Sequence, residues 1–240
     1  MPADVAAASA ALHAQWDRLH AWVELLADPR LGREASVLEG WSVVELWVHL
    51  GRAMDALAVC TRVPEGTVPL SLAEYLGTYH GRAEDVAETT RELTREHAAD
   101  PVGWVRGRAD AAFANLAALG PGDPVVQARR GPVLLSTMTA SRVVELVVHA
   151  DDLYRSVRRA PGTDAVADPV DPGALTLVAE ELLAIVRARG GWDLEVADAR
   201  RWVRLAAGRA PYDVDELALA LQPRWTSEAV PDLGRMLPLL

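Results

Sequence analysis

Two polar residues interrupt an otherwise apolar run, VVELVVH, at residues 143–149. They are Glu145 and His149, and because they are four residues apart they share one face of a helix, one turn from each other. Asp152, three residues further on, extends the same face. A buried carboxylate is tolerated when it is paired or bound to a metal. The pattern therefore predicts either a buried Glu–His ion pair or part of a metal site.

A third candidate ligand, His49, lies within the apolar stripe of an earlier helix. The stripe consists of Leu46, Leu50, Ala53 and Leu57. Taken alone, a histidine in such a stripe is most simply a core residue whose ring nitrogens are hydrogen-bonded to the protein. Combined with Glu145 and His149, it completes a set of two histidines and one glutamate. Three such protein ligands with an open fourth position are typical of catalytic zinc, and facing helices of a bundle can supply them.

The composition excludes several other kinds of chemistry. All 24 basic residues of the 240 are arginine, so neither a Schiff-base lysine nor a P-loop lysine is present. The 34 acidic residues give a formal net charge of -10, which disfavours nucleic acid and anionic lipid as main partners. The single cysteine, Cys60, cannot form an internal disulfide or a thiolate-rich zinc site.

The location of the protein is also suggested by the sequence. No run of 18 uncharged apolar residues is present, so we expect no transmembrane helix. The first residues lack the positive region of a signal peptide and have the spacing of an amphipathic helix. We therefore expect a cytoplasmic protein that does not bind membranes. We also expect a monomer or a homodimer.

The elements that must position the candidate ligands are mostly helices. Ser42 and Glu45 form a capping-box pattern at the start of the helix that carries His49, and Ser71 and Glu74 form a second one. Helical spacing of apolar residues predicts helices at about 4–27, 43–59, 82–98, 101–119, 138–158, 173–189, 198–207 and 213–221. The fold class is thus predicted to be mainly α.

Three segments break this helical pattern. Residues 121–135 contain glycines and prolines between short apolar runs, which indicates a small hairpin or an extended loop. Residues 160–173 hold three prolines and two glycines and are predicted to be a linker. Residues 192–196 alternate like a short strand.

Two motifs resemble those of a known family. GWSVVELWVHL at residues 40–50 and RVVELVVHADDL at residues 142–153 resemble the two metal motifs of the DinB-like, mycothiol-dependent maleylpyruvate isomerase family. The resemblance covers about residues 5–160. It implies a DinB-like four-helix bundle holding a divalent metal, usually zinc, with His49, Glu145 and His149 as ligands. It also implies mycothiol, a low-molecular-weight thiol, as cosubstrate.

The end of the chain resembles a second part of the same architecture. RWVRLAAGR at residues 201–209 is similar to the end of the sterol-carrier-like domain found in one branch of the family. Only one convincing strand precedes this element, whereas the full domain has several. We therefore predict a helical metal-binding domain at residues 1–160. A helix and a shortened sterol-carrier-like α+β domain are predicted at residues 161–240.

Three further residues are candidates for supporting roles. Asp152 is expected to orient a ligand histidine, because metal-bound histidines usually donate their other ring nitrogen to a carboxylate. Arg82 is a candidate for binding an anionic group of a cofactor or substrate, with a solvated arginine at a helix start as the alternative. His80 is either an additional ligand, an acid–base group or an exposed loop residue.

Three functions fit these residues. The first is an enzyme that activates mycothiol for addition to, or transfer onto, a small electrophilic substrate, as an isomerase or an S-transferase. The second is a metal-dependent hydrolase, and the third is a ligand-binding protein without catalysis. Cys60 lies eleven residues after His49, roughly 16 Å away along a helix, so the first function requires an external thiol.

Overall fold

Helices dominate the part of the chain that the structure, a computed structural model, describes: residues 3–26, 29–78, 81–163, 165–225 and 229–240. The helices in these ranges are α1 (Val5–Leu26), α2 (Pro29–Arg33), α3 (Val43–Ala58), α4 (Leu72–Gly77), α5 (Ala83–Glu96), α6 (Pro101–Leu119), α7 (Leu135–Val157), α8 (Pro172–Gly190), α9 (Ala199–Ala206) and α10 (Val214–Ala220). The strands in these ranges are β1 (Thr61–Arg62), β2 (Val125–Ala128), β3 (Gly131–Leu134), β4 (Leu194–Val196) and β5 (Leu221–Pro223).

Four of the long helices, α1, α3, α6 and α7, pack together as a bundle. Helix α3 lies against both α6 and α7, and α1 lies against α7. The apolar stripe of α3, with Leu46, Leu50 and Leu57, is fully buried in the core that these helices share. The structure confirms a mainly α fold in which a four-helix bundle is followed by a small α+β part. Within the described ranges, no helix combines the length and the apolar character needed to cross a bilayer.

The capping box at the start of α3 is confirmed. The Ser42 hydroxyl accepts a hydrogen bond from the backbone N–H of Glu45 at 3.3 Å. The Glu45 carboxylate in turn accepts from the backbone N–H of Ser42 at 2.7 Å. These two bonds satisfy donors that a helix start otherwise leaves unpaired. They fix the point at which α3 begins, two turns before His49.

Replacing Ser42 with alanine is expected to lower the free energy of unfolding by about 1 kcal/mol, because one of these two bonds is lost at a partly buried helix start. Urea unfolding followed by circular dichroism measures the change. Ser71→Ala is the matched control, since Ser71 caps the six-residue helix α4 through the same motif at an exposed position. A smaller loss is expected there, and equal losses for the two variants would contradict the argument.

The segment at residues 121–135 forms a hairpin, one of the two structures that the sequence left open. Strands β2 and β3 pair antiparallel from Val125 opposite Leu134 to Ala128 opposite Gly131, and β1 adds to the free edge of β2. The two turn residues are therefore Arg129 and Arg130. Helix α7 follows β3 directly, so the hairpin fixes where the helix with Glu145 and His149 begins.

The C-terminal part contains α8, α9 and α10 together with a two-stranded antiparallel sheet, β4 and β5. The strand predicted at residues 192–196 is present, although it begins at Leu194. Strand β5 was not predicted, because three residues ending in a proline are too short to show alternation.

This part lies against the bundle. Helix α8 packs on α1 and α7, and the apolar core is continuous across both parts. Asp151 of α7 forms ion pairs with Arg200 and Arg204 of α9, at 2.8 and 2.7 Å. The division of the chain at residue 160 stays a prediction.

Candidate metal centre

The three candidate ligands meet where α3 faces α7. His49 lies on α3, and Glu145 and His149 lie one turn apart on α7. The Nε2 atoms of both histidines are 3.5 Å from the same carboxylate oxygen, Oε2 of Glu145. One ligand atom from each residue lies within 4.8 Å of the others, which makes the three a group that could hold a metal ion.

These side chains are largely withdrawn from water but are not sealed off from it. The side chains of His49, Glu145 and His149 are 12%, 13% and 10% exposed. The two imidazole rings are nearly perpendicular, with centroids 4.9 Å apart. The Trp41 ring packs edge-on against the His49 ring at 5.5 Å and limits its rotation. An external ligand can therefore approach a cluster whose geometry is held by packing.

The surroundings of Glu145 and His49 favour the protonation states in which these two side chains bind metals. Burial acts to raise the pKa of Glu145, but contacts with His149 and His49 and the charge of Arg142 outweigh it and hold this pKa well below its usual value. Burial lowers the pKa of His49, and the contact with Glu145 only partly offsets this. Near neutral pH the site thus presents a carboxylate and a neutral His49, as metal binding requires.

Asp152 contacts His149, while its role in orienting a ligand histidine stays a prediction. Its Oδ2 atom lies 3.1 Å from Nδ1 of His149, and the residue is completely buried. An ionised carboxylate can only accept, so Nδ1 of His149 carries a proton that it donates to Asp152. Burial acts to lower the pKa of His149, but the contacts with Asp152 and Glu145 raise it above its usual value.

The donor set fits a divalent metal such as zinc. Two imidazole nitrogens and one carboxylate oxygen are the ligands of one class of catalytic zinc site, and a carboxylate behind a ligand histidine commonly accompanies them. The His49 ring differs from the His149 ring in this respect: its Nδ1 atom is buried without a hydrogen-bond partner among the residues that the structure describes. Within these ranges, this nitrogen thus lacks the kind of acceptor that Asp152 provides for Nδ1 of His149.

The three ligands form part of the wall of a cavity of about 740 Å³. The wall also contains the Trp41 ring and the apolar residues Leu38, Tyr75 and Leu76. Five arginines line it: Arg52, Arg129, Arg130, Arg142 and Arg209. The carboxylate side chains in the described wall are those of Glu145 and Asp55. The cavity is thus rich in positive charge, although the chain as a whole carries a formal net charge of -10.

The structure places Arg82 at the N-cap position of α5. Its side chain is 54% exposed, and its Nε atom is 3.9 Å from a carboxylate oxygen of Asp85. The neighbouring residues Gly81 and Ala83 line the cavity. A role for Arg82 in binding an anionic group stays a prediction. His80, the other candidate in this loop, lies outside the described residues.

Sequence reasoning assigned no role to two arginines that the structure brings to the site. Arg209 follows α9 and donates from Nε to Oδ2 of Asp152 at 2.9 Å. Arg142 lies one turn before Glu145 on α7 and is 2% exposed. Arg142 was detectable from the sequence, because it is a charged residue at the start of the same apolar run. Arg209 was not, because its contact joins residues 57 positions apart.

Cys60 is unsuited to act as the thiol of this site. It is 3% exposed, and its Sγ atom donates to the carbonyl oxygen of Ala56 at 3.2 Å. Burial raises the pKa of this thiol to about 11. At pH 8 only about one molecule in a thousand would carry a thiolate there, and the thiolate is the nucleophile. A thiol reaction at this site therefore needs a thiol from outside the chain.

We expect native Cys60 to resist Ellman's reagent at pH 8 and the unfolded chain to react promptly, with about one thiol per chain. The reaction is followed by absorbance with and without guanidinium chloride. Raising the pH toward 11 should speed labelling of the folded protein, because the raised pKa keeps the thiol protonated below that value. Rapid labelling of the native chain at pH 8 would contradict this.

The fold and the cluster together define a helical-bundle protein with a candidate metal centre in the wall of a cavity. The model of the family described as mycothiol maleylpyruvate isomerase N-terminal domain matches residues 12–154. This match covers more than half of the chain, and the chain belongs to that family. Searches of curated proteins and of solved structures gave no significant match.

Proposed function

We propose that the protein is a metal-dependent enzyme that activates mycothiol for reaction with a small, anionic, electrophilic substrate. The observation that carries this proposal is the convergence of His49, Glu145 and His149 on the wall of a cavity large enough for two small molecules. A volume of about 740 Å³ lies within the usual range for ligand sites, about 300–1,000 Å³. Family membership supports the choice of thiol.

Each residue of the cluster has a distinct task in this proposal. His49, Glu145 and His149 would hold a divalent ion, with zinc the best match to this donor set. When bound, that ion would supply positive charge that favours the thiolate form of a thiol near neutral pH. Asp152 would keep a proton on Nδ1 of His149, so that Nε2 is the ring nitrogen left to bind the ion. Burial acts to raise the pKa of Asp152, but contacts with His149 and then with Arg209 outweigh it and hold this pKa below its usual value.

The arginines of the cavity support an anionic substrate. Arg129 and Arg130 form the turn of the hairpin, and Arg52 lies on α3 three residues after His49. Arg129 is held toward α3 by an ion pair with Asp55. Guanidinium groups bind carboxylates through two parallel hydrogen bonds, so a small carboxylic acid suits this wall.

Two reaction types are compatible with such a site. Addition of a thiolate to the double bond of an unsaturated keto acid, rotation about the resulting single bond and elimination of the same thiolate give cis–trans isomerisation. Displacement of a leaving group from a saturated carbon by the thiolate gives S-transfer. Both need the thiol and the electrophile side by side.

The C-terminal part is included in this proposal as a shortened sterol-carrier-like domain. Its sheet has two strands in the described residues, which is too little to enclose a lipid. We assign it instead a supporting task, since it supplies Arg209 to Asp152.

The proposal is tested by an electrophile screen on the zinc-loaded protein. We expect unsaturated keto acids to be converted only when mycothiol is present, and their methyl esters to be converted far more slowly. Chromatography of substrate and product measures the conversion. Hydrolysis of substrates without any thiol would favour the hydrolase, and ligand binding without turnover would favour the binding protein.

A further inference from the structure

The two carboxylate oxygens of Glu145 have different surroundings. Oε2 faces both histidines, with each Nε2 atom at 3.5 Å. Oε1 faces the guanidinium of Arg142, whose Nη2 atom is 3.9 Å away. The carboxylate is thus divided between the candidate metal position and a buried cation. Because Arg142 precedes Glu145 by three residues on α7, both side chains lie on the same face of the helix.

The guanidinium of Arg142 is itself fixed in place. Its Nη1 atom donates to the carbonyl oxygen of Ala53 on α3 at 2.9 Å. Its Nε and Nη2 atoms both lie 3.3 Å from the hydroxyl oxygen of Ser141. Ser141 in turn donates to the carbonyl oxygen of Met138 at 2.6 Å. A side chain held at three nitrogens and 2% exposed has little freedom to leave Oε1.

We infer that Arg142 is a positioning residue that holds Oε1 of Glu145 away from the metal position, so that the carboxylate binds through Oε2 alone. This inference rests on the proposed metal site. A carboxylate that binds through one oxygen takes up one coordination position, whereas one that binds through both takes up two. Arg142 thereby keeps a position available for an external ligand, as sites with three protein ligands require.

A second consequence follows from the link between the helices. Arg142 joins α7 to Ala53, which lies four residues after His49 on α3. It therefore ties together the two helices that carry the ligands. A purely structural link would stabilise the bundle without affecting how Glu145 binds a metal. The two roles differ in what they predict for the coordination of the ion.

The test compares wild type, Arg142→Met and Arg52→Met after loading with Co²⁺, whose visible absorption weakens as its coordination number rises. Arg52 is the matched control, because it lines the same cavity but lies on α3, where it donates to the carbonyl oxygen of Val86 at 3.4 Å. We expect weaker, shifted bands in Arg142→Met and an unchanged spectrum in Arg52→Met. Zinc affinity of Arg142→Met is expected to fall about 10- to 100-fold.

Thermal melting establishes which variants are folded. If Arg142→Met does not fold, Arg142→Lys replaces it, because a single ammonium group cannot reach the Ala53 carbonyl and Oε1 together. The same spectral change, smaller in size, is then expected. A wild-type spectrum in the folded Arg142 variant, or an equal change in Arg52→Met, would overturn the role of Arg142. Failure of wild type to bind Co²⁺ would overturn the metal site and this role with it.

Discussion

Replacing His149 with alanine is expected to lower the bound zinc from about one equivalent per chain to almost none, because one of three protein ligands is lost. The remaining pair, His49 and Glu145, cannot enclose the ion. Elemental analysis after loading with zinc and gel filtration measures the metal content. This loss of bound zinc is the largest effect that we expect from a single substitution.

The matched control is His13→Ala. His13 is exposed on α1 and stacks on the Phe113 ring at 4.0 Å, away from the cluster. Its removal should leave the zinc content unchanged. An unchanged zinc content in His149→Ala would reject the assignment of the ligands, as would equal losses in the two variants.

Replacing Asp152 with asparagine is expected to weaken zinc binding about 10- to 100-fold, since carboxylates behind ligand histidines typically contribute that much. The asparagine has the same size but lacks the charge, and its amide can present a donor to Nδ1 of His149. The ring would then lose the acceptor that fixes its tautomer. Competition with a chromophoric chelator measures the affinity.

The neighbouring residue provides the control for this substitution. Asp151 is also buried, but its carboxylate contacts Arg200 and Arg204 rather than His149. We expect Asp151→Asn to lower the thermal stability through the loss of these ion pairs and to leave zinc affinity nearly unchanged. A zinc affinity that falls equally in both variants would mean that Asp152 acts through the general stability of α7.

The proximity of the two candidate ligands on α7 was predictable from the sequence, because helical geometry alone brings them together. Residues four apart share a face wherever the helix begins, so Glu145 and His149 must lie together. Their burial follows from the apolar residues around them. His49 was different, because nothing in its own helix shows which face α7 will cover. It was a candidate because it completes a set of two histidines and one glutamate, and the resemblance in the motifs supported that choice. The structure brings it to 3.5 Å from Glu145.

The rest of the site depends on tertiary contacts that local patterns do not encode. Arg209 follows α9, whose Arg204 forms an ion pair with Asp151 of α7, and this tertiary arrangement brings Arg209 to Asp152. Arg129 lies in the cavity wall because residues 121–135 form a hairpin and not an extended loop. The glycines and prolines of this segment were compatible with either structure. The capped start of α3, in contrast, is a local feature and matched its prediction to within a residue.

The most direct test of the central claim is a calorimetric titration of mycothiol into the zinc-loaded protein at neutral pH. Measured in two buffers of different ionisation enthalpy, it gives both the affinity and the protons released. We expect mycothiol to bind with release of about one proton per thiol, as expected for a bound thiolate. In His49→Ala, both the binding and the proton release should be lost. Absence of mycothiol binding by the zinc-loaded wild type would contradict the central claim.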